Sequence, residues 1–159
     1  MPRTHVPLAV SAALLLAAPA VASAQTADIE GVWAFNAGQV AVTAQPDGSY
    51  RGTVIRETRL ADCPHPVGER MWTNVVRQED GQYWGYHQWF EIPSCTPLPT
   101  LGRTAWRVLT NERGERFLRV CFARPSTPDV QPTIAPDGSS ANANGGCNDS
   151  DRIAPLPTK

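Results

Sequence analysis

Short runs of β-branched and aromatic residues, broken by turn residues about every ten positions, constrain this chain more than any other feature. Trp33 to Phe35 and Gln39 to Ala44 are separated by Asn36-Ala37-Gly38. Pro46-Asp47-Gly48 precedes a run from Tyr50 to Glu57, and further runs cover Met71 to Gln78, Tyr83 to Ile92, Arg103 to Thr110 and Arg116 to Ala123. Asp80-Gly81 and Arg113-Gly114 supply turns between them. No amphipathic helical period and no internal repeat accompanies the pattern. The expected fold is therefore all-β: a small antiparallel up-and-down β-barrel of about seven or eight strands.

Residues 1–24 have the grammar of an export signal. Arg3 and His5 lie in a short polar start, Leu8 to Ala18 form an apolar run, and Ala22-Ser23-Ala24 offers small residues for cleavage. Pro19 interrupts a run already shorter than the ~20 residues a spanning helix needs, so no stable membrane anchor is expected after cleavage. The mature chain from Gln25 is expected to be secreted or periplasmic. Loss of Arg3 changes the formal charge from -1 to -2, which gives no electrostatic reason to expect nucleic acid as a partner.

Cys63, Cys95, Cys121 and Cys147 all follow the leader, and in an oxidising compartment they read as two disulfides. Four cysteines allow three pairings. Cys63 with Cys95 and Cys121 with Cys147 is favoured, because the first ties two proline-rich loops flanking one hairpin and the second pins the irregular tail to a strand. No C-x-x-C or H-x-x-x-H spacing marks a zinc site, and neither metal nor cofactor is expected.

The organisation expected is a leader over 1–24, a barrel over 25–124 and a Pro- and Gly-rich C-terminal segment over 125–159. That last segment holds six prolines and many small polar residues, yet Cys147 and the apolar Ile134, Ile153 and Leu156 suit a partly ordered wrap around the barrel. Alternation gives the strand faces. Trp84, Tyr86, Gln88 and Phe90 share the more apolar face of their run with Ile92 and are expected to point inward; Leu118, Val120 and Phe122 do the same in the last run, with Arg119 and Cys121 opposite. In Met71 to Gln78 neither face is uniformly apolar.

The stretch GVWAFNAGQVAVTAQPDGSYRGTV resembles the openings of the calycins, the avidin and lipocalin barrels, whose first strand carries Gly-x-Trp. It is similar as well to small secreted bacterial domains of unknown function that begin in the same way. The likeness covers residues 29–57. Gly31 would relieve a crowded entry to the first strand, and Trp33 would close one end of the barrel. In lipocalins an arginine from the last strand covers the motif tryptophan, a role the resemblance gives to Arg119 or Arg116. Asn36 matches the avidin asparagine that holds biotin, but Gln39 stands where the avidin serine falls.

The chemical inventory leans away from an enzyme. His87 and Glu91 share a face but lie about 13 Å apart along an extended strand. No G-x-S-x-G, H-E-x-x-H or phosphate loop occurs. His65 sits in a loop held by two prolines. Glu57 and Glu91 form a carboxylate pair only if they face each other across a lumen. Asn148, Asp149 and Asp151 lack the glycine and distal glutamate of a calcium loop and read as a solvated turn. Five tryptophans remain for a core or a ligand cavity. The first expectation is thus an exported non-enzymatic barrel that either binds a small apolar or aromatic ligand, with Trp84, Tyr86, Gln88 and Phe90 as its candidates, or simply persists as a stable module. A second is a protein-binding module, such as a barrel-type periplasmic protease inhibitor, and a third a small extracellular hydrolase. A filled core with an exposed apolar loop patch favours the second, and a cleft joining His65 to a carboxylate the third.

Overall fold

The computed structural model describes residues 28–60 and 62–156. The expected leader lies outside the described residues. The chain runs through β1 (Gly31–Phe35), β2 (Gly38–Ala44) and β3 (Tyr50–Arg56), then a ribbon of β4 (Thr58–Leu60) and β5 (Cys63–His65). It continues through β6 (Arg70–Arg77), β7 (Tyr83–His87), a second ribbon of β8 (Phe90–Glu91) and β9 (Thr96–Pro97), β10 (Gly102–Thr110) and β11 (Arg116–Phe122). A third ribbon, β12 (Thr133–Ile134) with β13 (Ser140–Ala141), precedes β14 (Gly146–Ala154). Eight of these strands close an antiparallel barrel in the order β1-β2-β3-β6-β7-β10-β11-β14 and back to β1. The expected architecture is the observed one.

Three connections are tight and alike. Gln45, Gln78 and Asn111 each donate a backbone N–H to the carbonyl four residues on, at 2.8, 2.8 and 3.0 Å. The fourth residue of each turn is a glycine, Gly48, Gly81 and Gly114, with φ of 82, 86 and 79°. That left-handed backbone is costly for any residue with a Cβ, so the glycines set the hairpin register.

The interior is solid. Trp33, Trp72 and Trp106 are wholly buried among Phe35, Val40, Val54, Tyr83, Leu118 and Val120. Gly52 permits this packing, since a Cβ there would lie 2.6 Å from the Trp72 ring. A small eight-stranded barrel is just wide enough for its own side chains to fill. Among the described residues the middle of this one is occupied by the core side chains themselves.

Four expectations are corrected. On β7 the inward residues are Tyr83, Gly85 and His87, whereas Trp84 and Tyr86 point out. The outward face is apolar because the chain after Arg124 covers it, packing Ile134 and Ala143 around Trp84, Ala105 and Cys121. The run from Tyr83 to Ile92 is not one strand, because it breaks at Gln88-Trp89, which turns in over the barrel mouth. The barrel does not end at Arg124: β14, drawn from the C-terminal segment, pairs with both β11 and β1 and closes the ring. Asn148, Asp149 and Asp151 therefore lie in a strand, not a solvated turn.

The fourth correction follows from the third. Gly31 has φ of 149° and a position where a Cβ would come 3.1 Å from the Ala154 carbonyl. Trp33 donates its indole N–H to the Ile29 carbonyl at 2.8 Å. The arginine over its ring is Arg152, at 5.6 Å, since β14 and not β11 is the neighbour of β1. Arg119 instead forks onto Asp149 at 2.7 and 2.6 Å, and Arg116 reaches Asp28. Leu118, Val120 and Phe122 face inward as expected.

The uneven faces of β6 also have a cause. Asn74 adopts φ of 49° and the register slips between Thr73 and Val76. This bulge shifts the alternation, so Trp72 and Val75 both point into the core.

Candidate functional site at the looped end

The two ends of the barrel differ. One carries the three tight turns; the other carries the Asn36-Ala37 turn and the long connections 57–69, 88–101 and 123–145. Rigid barrels commonly bear function on such long connections. Here two of them are fastened to each other. The Cys63–Cys95 disulfide, with Cα atoms 5.2 Å apart, joins the β4–β5 ribbon to the loop between β8 and β9. Cys121–Cys147 links adjacent barrel strands, so both expected pairings are present.

Each ribbon is anchored below. Thr58 donates its hydroxyl to the Phe35 carbonyl, and Asn36 donates its amide to the Arg59 carbonyl at 2.8 Å. Gln88 donates to the carbonyls of Trp89 and Leu98 at 2.8 and 3.1 Å, which fixes the entry to the second loop. Trp89 lies against Phe122 and His87 as a lid on the core. Gly102 and Gly145 make room for it, because a Cβ would sit 2.2 Å and 3.1 Å from the indole.

Beneath the loops lie two buried histidines with ring centroids 5.4 Å apart. Trp72 donates its indole N–H to His87 Nδ1 at 3.1 Å. An indole nitrogen is only a donor, so His87 is neutral and carries its proton on Nε2. Burial, with a smaller contribution from His65, holds its pKa well below the ordinary histidine range. His65 has Nδ1 at 3.0 Å from both oxygens of Glu69, and its ring packs on Phe90.

An open groove of about 550 Å3 runs over this floor, walled by Pro64, Pro66, Phe90 and Pro97 and edged by Glu57 and Glu69. Val67 and Ile92, near its two sides, are 66% and 59% exposed. A carboxylate holding an imidazole is an arrangement hydrolases use to orient a base. In this one the distal Nε2 is sealed within the aromatic cluster, and among the described residues no hydroxyl or thiol is hydrogen-bonded to either histidine. Nor, among those residues, do three or more His, Cys, Asp or Glu gather as a metal site. Glu57 and Glu91 do not face each other across a lumen, because the lumen is filled.

The four expected ligand residues are split. Gln88 and Phe90 line the looped-end groove, while Trp84 and Tyr86 lie on the barrel flank. Glu57, Glu69 and the Trp89 lid were not read as a group from the sequence. The available signal was Pro64-His65-Pro66 beside Cys63: two prolines around a buried polar residue, locked to a second proline-rich loop.

The fold and site define an antiparallel eight-stranded barrel with a packed interior and a disulfide-joined pair of loops at one end. Compared with known families, curated proteins and solved structures, the chain matches none. The two disulfides fit an oxidising, extracellular-type environment, and no helix among the described residues is long and apolar enough to cross a membrane.

Proposed function

We propose that this is an exported protein-binding module whose groove at the looped end takes an extended segment of a partner, apolar with one basic residue. The observation that carries this reading is the pairing of a filled core with two proline-rich loops held rigid by one disulfide. Little loop entropy is then lost on binding, which is how preorganised binding loops gain affinity. The apolar walls suit proline, leucine or aromatic side chains, and Glu57 and Glu69 supply acceptors for a lysine or arginine at the edge. An inhibitor of extracellular proteases is one module of this class.

Selection from a phage-displayed library of random hexapeptides against the oxidised protein tests the reading. The expected result is enrichment of sequences with Lys or Arg beside apolar residues, and at least tenfold weaker binding of the selected peptides to Phe90→Ala and Glu57→Gln. No enrichment, or equal binding by both variants, would remove the groove as the site.

A further inference from the structure

A row of three polar side chains crosses the outer face of the barrel at right angles to its strands. Arg103 on β10 stands directly opposite Tyr86 on β7, and Tyr86 stands opposite Thr73 on β6, next to the bulged Asn74. Two adjoining grooves, of about 480 and 210 Å3, share Asn74, Tyr86 and Arg103 and form one trough. The larger groove has the size of a small-molecule site. Trp84 lies at one end of the trough, and Gln131 and Asp129 of the covering segment form its wall. Arg103 fixes that wall by donating to the Pro128 carbonyl at 2.6 Å.

The trough is built by the bulge. Asn74 is aimed outward by its left-handed backbone and is exposed. Gly85, beneath it, allows the close approach: a Cβ there would meet the carbonyls of Thr73 and Asn74 at 2.8 and 2.9 Å. Any other residue at position 85 would push the bulge away. Trp84, at the trough end, is held in place by packing against the cluster of Ala105, Cys121 and Ile134.

We infer that this trough is a second binding site, independent of the looped-end groove, and that its ligand is a neutral oligosaccharide. A pyranose presents an apolar C–H face, which suits the rings of Tyr86 and Trp84, and an edge of hydroxyls that donate and accept at once. Asn74 and Gln131 carry amides with both capacities, Arg103 only donates and Asp129 only accepts. One cation and one anion leave no excess charge for a polyanion or a polycation. An open trough, unlike an enclosed cavity, admits several linked units.

The test is titration of the isotope-labelled protein, followed by amide NMR shifts, with hexasaccharides of β-1,4-linked glucose, β-1,4-linked N-acetylglucosamine and α-1,6-linked glucose. A sulfated heparin hexasaccharide serves as the polyanionic comparison. At least one neutral chain is expected to shift the amides around residues 74, 86, 103 and 131. Asn74→Gly keeps the left-handed backbone and removes only the amide, and it should raise the dissociation constant at least tenfold without altering the remaining spectrum. Tyr86→Ala should do the same. Gly85→Ala should weaken binding while both contact side chains remain. Absence of shifts with all three neutral chains, binding by the sulfated chain alone, or unchanged affinity in Asn74→Gly and Tyr86→Ala would overturn the inference.

Discussion

His87 shows what a polar side chain needs in order to sit at 0% exposure inside a barrel. Its Nδ1 is satisfied by Trp72, and its surroundings of Phe35, Phe122 and Trp89 leave no place for a charge. The pH consequence has a definite sign. The folded pKa is depressed below the unfolded value, so the unfolded chain binds the extra proton first as pH falls. Stability is complete above the ordinary histidine pKa of about 6.5 and declines below it. Urea unfolding at pH 7.5 and 5.5 should differ by roughly 1 kcal/mol from this group, and His87→Phe should flatten that part of the dependence. Equal slopes for the two proteins would show that His87 takes a proton within the fold.

At the scale of elements, the two disulfides do different work. Cys63–Cys95 spans 32 residues and Cys121–Cys147 spans 26, so chain entropy assigns each about 3–4 kcal/mol. The first joins loops outside the barrel wall; the second joins β11 to β14 within it. Replacing Cys63 and Cys95 together by serine should leave the barrel folded by far-UV circular dichroism but lower peptide affinity at least tenfold, since the loops lose their mutual constraint. Unchanged affinity would mean that the ribbons are rigid without the bridge. Strand β14 has a sharper role: without it β1 and β11 present bare hydrogen-bonding edges. A chain ending at Arg124 should therefore aggregate or show no dispersed amide spectrum. A soluble, well-dispersed spectrum would contradict the closing role of β14.

For the whole molecule, the barrel was readable from sequence because its turns are chemically explicit. Gly48, Gly81 and Gly114 mark hairpins, and the runs between them alternate, so strand number and antiparallel order follow. The disulfide pairing was readable from where the cysteines stand: Cys63 and Cys95 in two proline-rich stretches, Cys121 in a strand and Cys147 in the segment that follows it. What alternation cannot express is a third layer. The segment over 123–145 covers β7 and β10 from outside, so Trp84 looked like a core residue when it belongs to a second, smaller cluster. The bulge at Asn74 breaks the period by one residue, which hid both the inward face of β6 and the trough. The C-terminal segment has the composition of a tail, yet its polar stretch Gly146–Ala154 forms a barrel strand, held by pairing on both sides and not by its own propensity. Glu69 met His65 only through the fold of a proline-locked loop, a contact no spacing rule specifies.

Amide shift mapping of the labelled protein with a selected hexapeptide tests the central claim most directly: that a filled barrel binds through its disulfide-joined loops. The account predicts shifts concentrated in residues 57–69 and 88–98, with the interior amides of β2 and β11 unmoved. Shifts centred on the barrel interior or on the three tight turns would contradict it.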